Sequence, residues 1–304
     1  MAAGDTFLSR CLEFYGSALP NHRGKWWVHR RLRQLLGIHS SGERDVVRLG
    51  LRWRLDPADY VQEELFWLGR KDFWEIHHIL RLLPRGGVAC DVGANFGYYS
   101  LMLAARGGCS AVYAFEPNPT NFARLQRNIE LNGLQGQIHA HRVGLSDVPM
   151  AARMEERTGN SGMACIRADA VDGPEVSLIT LDDFCAKQGL DRLDFIKIDT
   201  EGFEPHVLRG GMETLARFKP LILIELNPST LAHQGTTVAP VVQLLRECGY
   251  AFHEIRRHKL VRMLEPERQD PDEYINALCV PEARKASVEE ANSRASERQG
   301  ASAS

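Results

Sequence analysis

The run Val88-Ala89-Cys90-Asp91-Val92 leads into Gly93-Ala94-Asn95-Phe96-Gly97, a strand feeding a glycine-bearing turn and then a helix. In open α/β sheets, ligands bind in the crevice beyond such strand ends. Gly93 lets the chain turn tightly without a Cβ, and Gly97 lets the helix approach the bound group closely. The dinucleotide fingerprint G-x-G-x-x-G is absent, because Ala94 and Asn95 occupy the second glycine's surroundings. The loop opens instead on an acid. Asp91 would repel a pyrophosphate, yet it suits the sulfonium and α-amino groups of S-adenosylmethionine. Glu116 closes the run Val112–Phe115 about one βαβ step later, where a carboxylate accepts both ribose hydroxyls. Asp147, after Gly144-Leu145-Ser146, is expected where a third strand ends and could take the adenine amino group. A turn-capping Asp has the same appearance. The expected cofactor-binding set is therefore Asp91, Gly93, Asn95, Gly97, Glu116 and Asp147.

A second set of acids follows the run Phe195–Ile198: Asp199, Glu201 and Glu204. Lys197 lies inside that apolar run and needs an acid for a partner, because a buried unpaired ammonium is costly. The next run, Leu221–Leu226, carries Glu225, and Asn227 two residues on points to the same side. Acids at adjacent strand ends can position a hydroxyl, remove its proton or hold a divalent metal. Asp199, Glu201, Glu204 and Glu225 are the candidate catalytic residues. Pairing with Lys197 and helix N-capping are the structural alternatives for these acids. His206 and His233 follow the same strand ends and are candidate bases.

These residues require elements to position them. Apolar runs at Val88–Val92, Ala111–Phe115, Phe195–Ile198 and Leu221–Leu226 alternate with helical patterns at 98–105, 119–131, 205–218 and 238–248. That alternation predicts a parallel sheet covered on both faces, with 250–255 and 275–280 as closing strands at one edge. Upstream, 7–15 and 25–36 read as short helices and 46–55 as a strand or hairpin about Gly50. Helices follow at 60–68 and 72–83. We expect an N-terminal helical and hairpin extension over 1–85, a binding domain over 86–281 and a disordered tail over 282–304. The tail holds one larger aliphatic residue, Val288, too little to offset chain entropy.

Lys plus Arg is 37 and Asp plus Glu is 39, so the whole chain has no general attraction to nucleic acid or anionic membrane. Segment 21–54 departs from this balance, with nine Lys/Arg against two Asp/Glu, and reads as a solvated face or a contact for an anionic substrate. The five tryptophans, Trp26, Trp27, Trp53, Trp67 and Trp74, are expected to cement this region to the sheet. Seven cysteines without a C-x-x-C pair read as free thiols, and no run is long and apolar enough to span a bilayer. The expectation is a cytoplasmic protein without a membrane or nucleic-acid partner.

The blocks Asp91–Ser100, Phe115–Pro119, Ile179–Phe184, Ile196–Glu204 and Val207–Gly211 resemble the FkbM family of S-adenosylmethionine-dependent methyltransferases. The resemblance covers roughly 45–280, and its specific part is K-I-D-x-E-G-x-E at Lys197–Glu204. It implies a class I methyltransferase, a Rossmann-like sheet of seven mostly parallel strands, the last antiparallel, with helices on both faces. It implies O-methylation of a hydroxyl on a sugar, glycan or polyketide-type small molecule, with Asp199, Glu201 and Glu204 at the family's acidic block. Phe203 stands where the family commonly has a small residue. Two other classes stay open. One is an RNA methyltransferase using Arg30, Arg31 and Arg33; the other is a non-catalytic binding protein on the same fold.

Overall fold

The computed structural model describes residues 7–18, 24–38, 42–155, 161–163, 165–167, 172–257, 259–263, 265–267, 274–286, 288 and 290. The chain begins with helices α1 (Phe7–Ala18) and α2 (Lys25–Leu35) and a hairpin of β1 (Arg44–Arg48) and β2 (Leu51–Leu55). Leu49 and Gly50 both take positive φ, the geometry a two-residue hairpin turn demands. Helix α3 (Tyr60–Leu68) is capped by Asp59 and stopped by left-handed Gly69, and α4 (Phe73–Leu82) follows. The outer edge of the hairpin is not left bare. Asn128 and Asn132 accept from the backbone N–H groups of Arg54 and Arg52 at 2.7 and 2.9 Å.

The αβ layer then runs β3 (Val88–Val92), α5 (Tyr98–Ala105), β4 (Ala111–Phe115), α6 (Pro119–Leu131) and β5 (Ile138–His141). An insertion follows, made of β6 (Gly144–Leu145), β7 (Met150–Glu155), β8 (Cys165–Arg167) and β9 (Glu175–Ile179). The layer resumes with α7 (Leu181–Lys187), β10 (Phe195–Ile198), α8 (Glu204–Arg209), α9 (Met212–Phe218) and β11 (Leu221–Leu226). It ends with α10 (Pro228–His233), α11 (Val238–Glu247), β12 (Tyr250–Arg256), β13 (Lys259–Met263) and β14 (Ile275–Pro281).

Among the described residues the main sheet has eight strands, ordered β13-β12-β14-β11-β10-β3-β4-β5. The strands β11, β10, β3, β4 and β5 are parallel, and β14 runs antiparallel to both β11 and β12. Seven of the eight make up the expected number, with the reversed strand in place. The eighth, β13, folds back on β12 with Arg256 opposite Lys259. Its basic residues Lys259 and Arg262 mask the strand pattern in the sequence. Each face of the sheet has its own core. One gathers Ala89, Phe195 and Leu223 with Leu101 and with Trp53 and Trp67 of the N-terminal region. The other joins Val92, Ile198 and Ile224 to Leu181, Val241 and Leu245. Residue 85 is thus a boundary of chain topology and not of packing. Trp53 and Trp67 do cement the extension to the sheet, whereas Trp27, expected to do the same, is 64% exposed.

Three further expectations are corrected. The third strand of the sheet is β5, ending at His141, and Gly144-Leu145 pairs instead with β9 in a separate four-stranded sheet. The helix expected over 205–218 is two helices, because Gly210 presses against the Ser146 carbonyl, where a Cβ would come within 1.9 Å. The start of the expected disordered tail is ordered. Glu282–Arg284 forms a 3₁₀ turn, the Arg284 guanidinium donates to the Asp194 carbonyl, and Val288 is 2% exposed in the core. Residues 291–304 lie outside the described set. All seven cysteines are free, and among the described residues no helix is long and apolar enough to cross a membrane.

Candidate functional site

A cavity of about 340 Å³ opens at the carboxyl ends of β3, β4, β10 and β11. One wall is the turn after β3. Gly93 adopts φ 80°, and a Cβ there would lie 1.8 Å from the Asp199 carbonyl, so only glycine lets the ends of β3 and β10 meet. Asn95 also takes a positive φ and donates its backbone N–H to Glu116 Oε2 at 2.7 Å, while Asn118 N donates to Oε1 at 2.9 Å. Each Glu116 oxygen keeps a lone-pair site for a further donor. Burial pushes the Glu116 carboxyl up to about 7, against the pull of these two backbone donors. Asp91 is buried beneath the turn and accepts from Ser100 Oγ at 2.5 Å. Burial raises its pKa, opposed by the Ser100 bond and by Lys197.

The facing wall is made of side chains that hold one another. Lys197, directly beside Asp91 in the β10–β3 register, is 2% exposed, with its ammonium 2.9 Å from Asp199 Oδ2 and 5.1 Å from the centre of the Tyr99 ring. Burial pulls the Lys197 pKa down, but the charges of Asp199 and Glu225 keep it above its ordinary value. Burial likewise works against the Asp199 carboxylate, yet Lys197 holds its pKa below the usual range. Glu225 is driven well above its ordinary range by burial and then by the charge of Asp199, to which it is hydrogen-bonded. Within this pair the two acidities are thus pushed apart, Glu225 upward and Asp199 downward. Asn227 Nδ2 donates to Glu225 Oε1 at 3.1 Å and orients it.

The structure brings Asp91, Gly93, Asn95, Glu116, Asp199, Glu201, Glu225 and Asn227 around this one cavity. It moves three other expected residues away from it. Gly97 does not face the cavity; at φ 94° it starts α5, and a Cβ would strike Leu125 of α6 at 2.7 Å. Glu204 folds back onto its own turn, where Oε1 accepts from Thr200 N, Thr200 Oγ1 and Gly202 N at 2.9, 3.0 and 3.2 Å. It shapes the loop that carries Asp199 and Glu201 and is not itself among the lining residues. Asp147 also lies outside the lining, although Gly144 and Leu145 just before it belong to that lining. Its carboxylate meets His206 Nδ1 at 3.1 Å and Arg209 Nε at 3.4 Å. That contact occupies His206, which also stacks on Phe203, and His233 does not line the cavity either.

Sequence reasoning missed the contributions of distant segments. Tyr60, Lys71 and Asp72 from the N-terminal region and Tyr274 before β14 line the cavity. Lys71 Nζ lies 3.2 Å from Asp72 Oδ2, and Tyr99 donates its hydroxyl to that same oxygen at 3.2 Å. The Tyr98 hydroxyl bonds the Lys71 carbonyl, fixing the loop over α5. A Lys-Asp pair before a helix looks like ordinary capping, so its sequence bears no separate signal. Ser161 joins the lining by bonding Asn95 Oδ1 at 3.3 Å and Asp59 Oδ1 at 3.1 Å. Among the described residues no group of three or more His, Cys, Asp or Glu is placed to hold a metal.

The acid-rich cradle fits a cationic donor with a ribose, because Glu116 presents acceptors and Asp91 and Asp199 present negative charge. Comparison with known proteins agrees with that chemistry. The chain is 30% identical over 148 residues to methyltransferase 1 of Beauveria bassiana, covering 42% of this chain and 59% of that one. The match thus spans less than two thirds of that relative's length. It is 27% identical over 182 residues to the hexuronic acid methyltransferase AglP of Haloferax volcanii, covering 56% and 67% respectively. It is 27% identical over 182 residues to the 31-O-demethyl-FK506 methyltransferase FkbM of Streptomyces tacrolimicus, covering 50% and 68%. The model of the methyltransferase FkbM domain matches residues 91–252, just over half the chain, from the acid under the glycine turn to β12. By that match and the cavity it encloses, the chain belongs to the FkbM methyltransferase family.

Proposed function

We propose that this protein is an S-adenosylmethionine-dependent O-methyltransferase acting on a hydroxyl of a sugar, glycan or polyketide-type molecule. The observation that carries the reading is the hydrogen-bonded Asp199–Glu225 pair, set beside Lys197 and opening on the same cavity as Glu116. The bound cofactor supplies a methyl group already activated by its sulfonium. Glu116 and the Asn95 turn hold the ribose side, and Asp91 with Asp199 offsets the positive charge. The acceptor enters past Tyr60, Lys71, Asp72 and Tyr274, so the N-terminal extension forms the substrate wall.

An aliphatic hydroxyl is far too weak an acid for Asp199 to deprotonate in advance. Its acidity rises steeply only as the new carbon–oxygen bond forms, and the proton then passes downhill even to a carboxylate of depressed pKa. Lys197 keeps Asp199 ionised for that moment. Glu225, fixed by Asn227 and pushed toward its neutral form by burial and by Asp199, adds little competing charge beside it. The lysines of the cavity are already matched, Lys71 with Asp72 and Lys197 with Asp199, which favours a neutral acceptor group.

The relative named for 31-O-demethyl-FK506 supports a hydroxyl acceptor, and the one named for hexuronic acid supports a sugar-type substrate. Of the three arginines named for an RNA acceptor, Arg33 is committed to Glu63, as Arg48 and Arg54 nearby are to Glu13 and Asp45, which leaves that reading Arg30 and Arg31. Free thiols fit a cytoplasmic setting. The test is transfer of isotope-labelled methyl from S-adenosylmethionine to panels of sugars, uronic acids and polyketides, with S-adenosylhomocysteine affinity measured in parallel. Asp199→Asn is expected to slow transfer by about 10²–10⁴-fold and to leave binding within a few-fold. Cofactor binding without transfer to any hydroxyl would overturn the O-methyltransferase reading.

A further inference from the structure

Helix α2 is built inside out. It buries Lys25 and His29 against α1 and α3, where His29 meets the Leu12 carbonyl at 3.2 Å and the Trp67 ring at 5.3 Å. Trp26 packs partly against the core, but other large apolar residues of the helix face solvent, with Trp27 64% and Leu35 80% exposed. Helix α1, packed beside it, shows Phe7 at 81% and Phe14 at 63%. An apolar stripe of this size on two adjacent helices calls for an apolar partner. Interleaved with it are Arg30 and Arg31, both exposed, and neither makes an ion pair among the described residues. No acid occurs in α2.

From this arrangement we infer that α1 and α2 form a docking face for an anionic membrane surface, on which α2 lies in the headgroup plane. The overall charge balance hides this face, because the compensating acids lie elsewhere in the chain. Two copies of the chain meeting here would set Arg30 and Arg31 against their own equivalents, with no acid in α2 to relieve them. A nucleic acid would satisfy the arginines and leave Phe7, Phe14 and Leu35 in water. The boundary between headgroups and acyl chains takes both kinds of residue at once. The inference stands apart from the catalytic reading. Tyr60, at the start of the α3 that α1 packs on, lines the cavity, so docking would bring the substrate entrance near the bilayer.

Flotation of the full chain with vesicles of phosphatidylcholine, alone or in equal parts with phosphatidylserine, tests it. Binding is expected only to the anionic vesicles and should weaken as salt is raised. Arg30→Glu with Arg31→Glu should lower partitioning by at least about tenfold, since each basic residue near an anionic surface contributes roughly fivefold. Trp27→Ser with Leu35→Ser should lower it comparably. These positions are exposed, and unchanged thermal unfolding would show that the variants fold. Equal binding to both vesicle types, or to neither, would overturn the inference. So would self-association that Trp27→Ser abolishes, or binding to an RNA homopolymer without vesicle binding.

Discussion

The two walls of the cavity hold their carboxylates in different ways. Along the turn after β3, Glu116 is gripped by the backbone N–H groups of Asn95 and Asn118, and Asp91 by the hydroxyl of Ser100. Across the cavity, at the ends of β10 and β11, Asp199, Glu225 and Lys197 are held chiefly by one another. A wall made from fixed hydrogen-bond donors is rigid, although Asp91 still feels the charge of Lys197 beside it. A wall made from coupled side chains shares its charge, so changing one member alters every other. Binding suits the first arrangement and proton movement the second.

The largest expected effect comes from removing the cation that contacts Asp199 directly. Lys197→Met leaves Asp199, Glu225 and Asp91 crowded without it and should destabilise the fold by about 3–5 kcal/mol, read by chemical denaturation. Little loss of stability would mean that the wall is not coupled as described. Gly93→Ala tests the seam between the walls. Its Cβ would drive the β3 turn away from the Asp199 carbonyl, with an expected loss of about 2 kcal/mol or more and weaker cofactor binding. A crystal structure of the variant should show the two strand ends parted.

The response of the backbone-held wall to pH is a smaller and more specific effect. Ribose hydroxyls must donate to an ionised Glu116, so S-adenosylhomocysteine affinity should fall as pH drops through about 7, by roughly tenfold per unit well below it. Folding shows the opposite sign. Between 4.5 and about 7 the folded chain binds a proton at Glu116 that the unfolded chain has released, so this group's share of stability is lost as pH rises across that window. Calorimetric titrations and melting curves from pH 5 to 8 check both, and Glu116→Gln should flatten each profile. The smallest effect is at Asp147. Its contacts with His206 and Arg209 are half-exposed, so Asp147→Ala should cost less than about 1 kcal/mol and leave cofactor affinity unchanged. A large loss of affinity there would return Asp147 to the cofactor site.

Most of the sheet could be read from the chain because parallel strands buried on both faces appear as unbroken apolar runs. Val88–Val92, Ala111–Phe115, Phe195–Ile198 and Leu221–Leu226 all form the strands expected of them. The insertion β6–β9 could not be read this way, since its strands are short and mix polar with apolar residues. Gly144-Leu145 fits equally well as a strand end in either sheet, so the chain alone did not show that Asp147 would meet His206 and Arg209. Glu204 was ambiguous for a related reason, because an acid after a strand looks the same whether it faces a cavity or bonds its own turn.

The sequence by itself determined which acids stand at strand ends, for the apolar runs fix where strands stop and the next polar residue must emerge. It therefore determined that Asp91, Glu116, Asp199 and Glu225 would meet at one end of a parallel sheet. Only the tertiary structure decided which way each acid turns and what it meets. Lys71, Asp72 and Tyr274 reach the cavity because the N-terminal region shares the core of the sheet and β14 closes its edge. Contacts between segments so far apart in the chain depend on how whole layers pack, and no local pattern of residues encodes that.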